Sequence, residues 1–133
     1  MTTSFNNYRL NYQIIIYKYF TMDKEEYVKT LCKVVQMVNQ LSNRKQDNRL
    51  KVICLCIYNY TNFFAKENDI SLKECMSNSQ DNQVDVSVIL RYMYEHSIEP
   101  FDFSTISVED VDVNNSKDLE RFVLSHIYYL TQK

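Results

Sequence analysis

The sequence predicts an α+β fold in which a small sheet is flanked by helices and preceded by an extra N-terminal helix. Apolar residues recur at helical spacing in Asp23–Leu41 and again in Lys117–Lys133. The run Leu50–Phe64 is rich in β-branched and aromatic residues, which fits two strands joined by a turn at Asn59 or Asn62. One buried helix fits the same run, because periodicity cannot decide a continuous apolar stretch. An all-α bundle is therefore the alternative.

The stretch Val84–Pro100 supplies the second strand signal. Its apolar residues first alternate, at Val84, Val86 and Val88, and then take helical spacing. We expect a short strand followed by a half-buried helix that stops before Pro100, since proline disfavours helix for the preceding residue. The face predicted to be apolar consists of Ile89, Leu90, Met93 and Tyr94, with Arg91 and Glu95 opposite.

Capping residues and the spacing of apolar residues predict the boundaries of the remaining helices and loops. Asp23 is the predicted N-cap of the first helix, and Glu26 gives a capping-box-like pattern. The polar stretch Ser42–Arg49 is a predicted linker. Asp69–Asn78 is a predicted short helix, and Ser116 is the predicted N-cap of the last helix, whose apolar surface is wider than one core-facing stripe needs. The alternating, acidic stretch between Phe101 and Asn115 is interpreted as a solvated loop.

The composition of the chain excludes several classes of protein but does not identify one function. The 133 residues suit one domain with a usable core, and 45% hydrophobic and 14% aromatic residues argue against disorder. A net charge of -2 offers no electrostatic case for nucleic acid. Glycine is absent, which excludes glycine-rich phosphate-binding loops. Eleven tyrosines suit half-buried surfaces and interfaces.

Residues 1–21 form a predicted N-terminal extension. Within it, Tyr12–Phe20 is apolar and β-prone but shorter than the roughly 20 residues needed to span a membrane. Lys18 interrupts it and no small-residue cleavage site follows, which disfavours a signal peptide. We expect an added strand or helix packed on the domain. Met22 is an alternative start of translation.

No chemical signature is present. Cys32, Cys54, Cys56 and Cys75 form no C-x-x-C pair, so buried, reduced thiols in a cytoplasmic or nuclear setting are expected rather than zinc. His96 and His126 have no acid or cysteine partner apparent in the sequence. We therefore predict a protein that is not an enzyme, with no catalytic, cofactor-binding or metal-binding residues, and no membrane or nucleic-acid partner.

Several segments resemble the BTB/POZ superfamily, in its Skp1/elongin C-like branch. The segment I-L-R-Y-M-Y-E-H-S-I-E, residues 89–99, is similar to a BTB helix, with His96 at the usual glycine. The segment I-S-L-K-E-C-M-S, residues 70–77, resembles the preceding short helix of Skp1 proteins. The segment L-E-R-F-V-L-S-H-I-Y-Y-L, residues 119–130, resembles the closing helix of the family. The resemblance covers about residues 50–132.

The resemblance implies a domain at residues 50–133, with residues 22–49 as an added amphipathic helix and linker. It further implies an adaptor that joins a cullin-type scaffold to an amphipathic receptor helix, which enters an apolar groove. By position, the partner-binding residues are Phe101, Phe103, Phe122, Val123, Ile127 and Tyr129. His126 stands where the family has a small residue, which narrows that groove.

Two other functions are compatible with the residues. One is a self-associating scaffold that uses the same surface without ubiquitin machinery. The other is an all-helical regulator that resembles the Bcl-2-like bundles of large DNA viruses, with Leu50–Phe64 as its buried central helix. Secondary structure distinguishes these functions, because the all-helical regulator requires a fold without strands, whereas the adaptor and the scaffold both use the fold that contains a sheet.

Overall fold

The fold is built from helices. The computed structural model describes residues 23–77, 84–105, 111–112 and 114–131, and within those ranges it contains no strand. The predicted α+β class is therefore wrong, and the all-α alternative fits. The five helices described are α1 (Lys24–Lys45), α2 (Asn48–Glu67), α3 (Leu72–Ser77), α4 (Ser87–Glu95) and α5 (Ser116–Leu130).

Helix α1 begins where the sequence predicts. The Asp23 carboxylate caps it by accepting hydrogen bonds from the backbone N–H groups of Glu25 and Glu26, at 2.9 and 3.4 Å. Its buried side chains recur every three or four residues, so one face of α1 enters the core along almost its whole length. The buried set is Tyr27, Val28, Thr30, Leu31, Cys32, Val34, Val38 and Ser42.

The connection between α1 and α2 is much shorter than the predicted linker Ser42–Arg49. Helix α1 runs to Lys45, Gln46 adopts a left-handed conformation with φ 49°, and Asp47 already caps α2. Ser42 is buried, and its hydroxyl donates to the Asp47 carbonyl oxygen at 3.3 Å. The linker prediction failed because polar residues also suit an exposed last helical turn. As a result α1 and α2 form an antiparallel pair.

The run Leu50–Phe64 lies wholly within α2, which settles the ambiguity between hairpin and helix. Ile57, Thr61 and Phe64 follow one helical face into the core, and Asn59 and Asn62, the predicted turn points, lie inside the helix. The opposite face is not covered, since Leu55 is 62% exposed. Helix α2 is therefore buried on one side only and is not the buried central helix of the Bcl-2-like alternative.

The middle of the chain has two shorter helices. Helix α3 begins after Ser71, whose hydroxyl oxygen accepts from the Glu74 backbone N–H at 3.3 Å, rather than after the predicted cap Asp69. The predicted strand at Val84–Val88 does not form: the chain enters α4 at Ser87. The buried face of α4 is Ile89, Tyr92 and Met93. Tyr94, predicted to face the core, is 42% exposed.

Helix α5 closes the core. Its N-cap is Asn115, which accepts from the backbone N–H groups of Lys117 and Asp118, and not the predicted Ser116. Its wide apolar surface is explained by burial on several sides, against α2, α4 and the segment that follows α4. The buried residues are Leu119, Phe122, Val123, Leu124, Ser125 and Ile127.

Several predictions concern residues outside the described ranges. These include the extension of residues 1–21 with Tyr12–Phe20, the alternative start Met22, and residues 106–110 and 113 of the acidic stretch before Asn115. The predicted boundary between residues 22–49 and 50–133 falls in the first turn of α2, and α1 shares one core with the helices that follow it. Among the described helices, none combines the length and apolarity required to cross a bilayer.

Candidate functional site

The six predicted partner-binding residues divide into two groups. Phe122, Val123 and Ile127 are 0–1% exposed and belong to the core. Phe101 and Phe103 are half-buried, and Tyr129 is 40% exposed. The role of all six residues in partner binding stays a prediction.

The chain itself occupies the side of α5 on which a receptor helix was expected. Arg121 Nε donates to the Glu99 carbonyl oxygen at 2.6 Å. One turn further along α5, Ser125 Oγ accepts from the Phe101 N–H at 2.9 Å, and a turn beyond that the Tyr129 hydroxyl donates to the Phe101 carbonyl oxygen at 2.8 Å. Three side chains spaced four residues apart therefore hold the backbone of residues 99–101 against the helix.

Aromatic rings complete this contact. The Phe103 ring stacks on His126 with centroids 4.4 Å apart and meets Phe122 edge-on at 6.0 Å. The structure thus brings Phe103, Phe122 and Tyr129 together around a segment of the same chain. His126, which the sequence placed where it would narrow the predicted groove, is a packing partner of Phe103 and Phe122. The sequence signal that pointed to it was its place in the apolar repeat of α5.

His126 carries no sign of catalytic use. Burial lowers its pKa, so the ring is held neutral, and Nε2 finds no hydrogen-bond partner among the described residues. Its neighbours are the rings of Phe103 and Phe122, which can neither accept nor relay a proton. The histidine therefore acts as an aromatic surface.

Three tyrosine hydroxyls and one carboxylate join four helices. Tyr60 of α2 and Tyr92 of α4 both donate to Glu120 Oε2 of α5, at 2.8 and 3.0 Å. The Tyr60 oxygen lies 2.8 Å from the hydroxyl of Tyr27 in α1, which must be the donor because the Tyr60 proton is engaged by Glu120. Sequence reasoning missed this network, since its members are far apart along the chain.

The phenols of the network are buried and protonated. Desolvation raises the pKa of Tyr27, Tyr60 and Tyr92, so all three phenols stay protonated at neutral pH. The Tyr27 ring also stacks on Tyr92 with centroids 4.2 Å apart and meets Phe64 edge-on at 4.9 Å. The hydroxyls and rings of these tyrosines therefore tie the four helices together.

Burial shifts the four thiols toward the protonated form. All four cysteines are free, and burial raises the pKa of Cys32 to about 12 and that of Cys54, Cys56 and Cys75 above the ordinary value. A thiol that stays protonated is a poor nucleophile and a poor metal ligand. Over the described ranges, no three His, Cys, Asp or Glu side chains are grouped so that they could hold a metal ion.

The outer face of α2 is the feature most suited to a partner. Val52, Leu55, Tyr58 and Phe63 are 39–62% exposed and lie on the side of α2 turned away from α1. We call these four residues the α2 face. Large apolar side chains grouped in the open on one helix typically mark an interaction surface.

Charge distinguishes the α2 face from an ordinary solvated surface. From residue 48 to residue 66 the helix contains no aspartate or glutamate, and its charged residues are Arg49, Lys51 and Lys66, all exposed. At the Phe63 end, a groove of about 400 Å³ opens between α2 and the start of α5. Its lining is Asn59, Tyr60, Phe63, Asn114, Ser116 and Leu119.

Comparison of the chain with protein-family models, curated proteins and solved structures gave no significant match. The likeness to the Skp1/elongin C-like branch therefore stays a prediction carried by the quoted segments, and the fold it implied is contradicted by the helical structure.

Proposed function

We propose that this protein is a non-catalytic, all-helical interaction protein that binds an amphipathic segment of another protein through the α2 face. The observation that carries the proposal is the exposed row Val52, Leu55, Tyr58 and Phe63 on a helix that has only basic charges up to Lys66. Burying such a row against a partner removes apolar surface from water.

The charges indicate the chemistry of the partner. A segment with apolar residues at helical spacing would cover the row, and acidic residues beside them would meet Lys51 and Lys66. The groove at the Phe63 end is suited to one larger anchoring side chain, since it is bounded by aromatic and amide groups.

A second copy of the chain is the less favoured occupant. Antiparallel pairing of two α2 helices would bring Lys51 of one copy near Lys66 of the other, and like charges at an interface disfavour association. We therefore favour a different protein as the partner over the self-associating scaffold.

The other predicted functions are ranked by the same features. A cullin adaptor of the Skp1 type depends on a sheet, which the described residues lack. An all-helical regulator agrees with the fold class, although α2 is open on one side. The neutral phenols, the packed His126 and the protonated thiols support a function without catalysis. Four free cysteines support a reducing compartment, the cytoplasm or the nucleus.

Peptide display against the full chain tests the proposal with a defined probe. Random amphipathic peptides are selected for binding, and the affinities of the selected peptides are measured by fluorescence anisotropy. We expect a consensus with apolar residues at helical spacing beside aspartate or glutamate. Leu55→Asp should abolish binding, because it adds like charge for the acidic peptide and removes the most exposed side chain of the row.

Tyr94→Asp is the matched control, since Tyr94 is an exposed apolar residue on α4, outside the α2 face. It should leave the affinity unchanged. Peptides that bind the Leu55→Asp variant as tightly as the wild type would contradict the proposal, and so would a consensus without acidic residues.

A further inference from the structure

The chain enters the structure beside the C-terminal end of α2, on the side of α2 that packs against α1. Lys24 Nζ donates to Asn68 Oδ1 at 3.0 Å, which places the first residue of α1 against the residue that ends α2. The ring of Tyr27 meets Phe64 at 4.9 Å, as expected for antiparallel helices. The chain that precedes Asp23 therefore starts within about two helical turns of Phe63.

The composition of that preceding chain matches an apolar surface. Seven of the nine residues in Tyr12–Phe20 are apolar, and only a short link separates Phe20 from Asp23. The α2 face extends about 16 Å from Phe63 to Val52, at the helical rise per residue. Nine residues span about 30 Å when extended, which exceeds the length of the face, whereas in a helix they span about 13 Å and fall short of it, so only an extended segment covers the whole face.

We propose that Tyr12–Phe20 packs on the α2 face of its own chain and thereby competes with the partner for that face. This inference rests on the proposed function for the competition, although the packing itself does not require it. The tether favours the segment over a free peptide, because a linked segment is present at high effective concentration.

The charges of the tethered segment should allow an acidic partner to displace it from the α2 face. Residues 1–22 contain Arg9 and Lys18 and no acidic residue, so the segment brings positive charge to a face that already carries Lys51 and Lys66. An acidic partner gains attraction where the tethered segment meets repulsion. Salt should therefore act in opposite directions: screening strengthens the packing of the segment and weakens binding of the acidic peptide.

Hydroxyl-radical footprinting of the full chain tests the packing. Tyr58 on the α2 face and Tyr94 on α4 provide an internal comparison, because they are the same residue type and are 39% and 42% exposed. If the segment covers α2, Tyr58 is oxidised several-fold more slowly than Tyr94 in the wild type. The double substitution Ile14→Lys and Ile15→Lys should bring the two rates together.

The matched control is Thr2→Lys with Thr3→Lys, which adds the same charge to the same terminus outside the apolar segment and should leave Tyr58 protected. Equal rates in the wild type overturn the proposal. Protection that survives the substitutions at Ile14 and Ile15, or that disappears on dilution because a second copy provides it, overturns the proposal as well.

The two proposals fail separately. Peptide binding that depends on Leu55, together with an unprotected Tyr58, would refute the packing of the segment and support the partner-binding function. A protected Tyr58, together with the absence of any peptide whose binding depends on Leu55, would refute the partner-binding function and support the packing of the segment.

Discussion

Replacing Tyr60 with phenylalanine removes the central hydroxyl of the network that joins the four longer helices. Two hydrogen bonds are lost. The bond to Glu120 Oε2 has a charged acceptor, which makes it worth about 1.5–3 kcal/mol. The Tyr27 hydroxyl, in a side chain that is 0% exposed, also loses its acceptor, and an orphaned buried donor costs about 1–3 kcal/mol. We expect Tyr60→Phe to lower the free energy of unfolding by about 3 kcal/mol.

The neighbouring substitution should be much milder, although it affects the more deeply buried residue. Tyr27→Phe removes one donor and leaves Tyr60 still bonded to Glu120, so the expected loss is about 1 kcal/mol. The double variant should lose no more than Tyr60→Phe alone, because removing both hydroxyls leaves no orphaned donor at position 27. The effects of the two substitutions are therefore strongly non-additive.

Urea unfolding at pH 7, followed by circular dichroism at 222 nm, measures these differences. With an m-value of about 1–3 kcal/mol per molar urea, Tyr60→Phe should shift the midpoint by at least about 1 M. Tyr94→Phe serves as the exposed control and should change stability by less than about 0.5 kcal/mol. A larger loss for Tyr27→Phe than for Tyr60→Phe, or additive losses in the double variant, would refute the inferred direction of the hydrogen bonds.

Three further outcomes are expected. Because burial raises the pKa of Tyr27, Tyr60 and Tyr92, the unfolded chain loses these protons first, so the contribution of the three phenols to stability should be constant below about pH 10 and fall above it; a urea midpoint that stays unchanged between about pH 9 and about pH 11 would contradict this. Burial lowers the pKa of His126, so stability should decline as the pH falls below about 6.5. The variant His126→Phe should reduce the change of the urea midpoint between about pH 7 and about pH 5. A change of the midpoint with pH as large as that of the wild type would contradict this. Phe122→Ala should cost about 3–5 kcal/mol of unfolding free energy in urea, and Leu55→Ala less than about 0.5 kcal/mol; similar losses would contradict the assigned burial.

Helix α1 could be predicted because all its signals agree. Asp23 supplies a cap, and a single stripe from Tyr27 to Val38 gives an unambiguous period. The prediction stopped at Leu41, before the observed end at Lys45, since the polar last turn resembles a linker. Helix ends that face water leave no apolar trace in the sequence.

Helix α2 could not be predicted from periodicity because it is apolar on both faces. The inner face is buried by α1, and the outer face presents Leu55 and Phe63 to solvent. Asn59 and Asn62 were interpreted as turn residues, but they stand on the outer face of a continuous helix. The exposed apolar residues that make the α2 face a candidate site are the same residues that made the run look like buried strands.

The details of α4 and α5 depended on tertiary contacts that the sequence does not encode locally. Tyr92 and Tyr94 both fit an aromatic helix, and only the position of Glu120 on α5 shows that Tyr92 is the inward residue. Likewise, the sequence pointed to Phe103 and Tyr129 as groove residues, but the bonds from Ser125 and Tyr129 to Phe101 show that the chain fills that position itself.

The brief connection at Gln46 and Asp47 has a consequence for the order of folding. Helices α1 and α2 meet through neighbours in sequence, so closing their loop costs little conformational entropy, and the pair can form early. Helix α5 must instead find α2 across a long stretch of chain, with Tyr60 and Glu120 separated by 60 residues. Until α5 arrives, the hydroxyl of Tyr60 has no carboxylate to bond, and the part of α2 that α5 covers remains open to water.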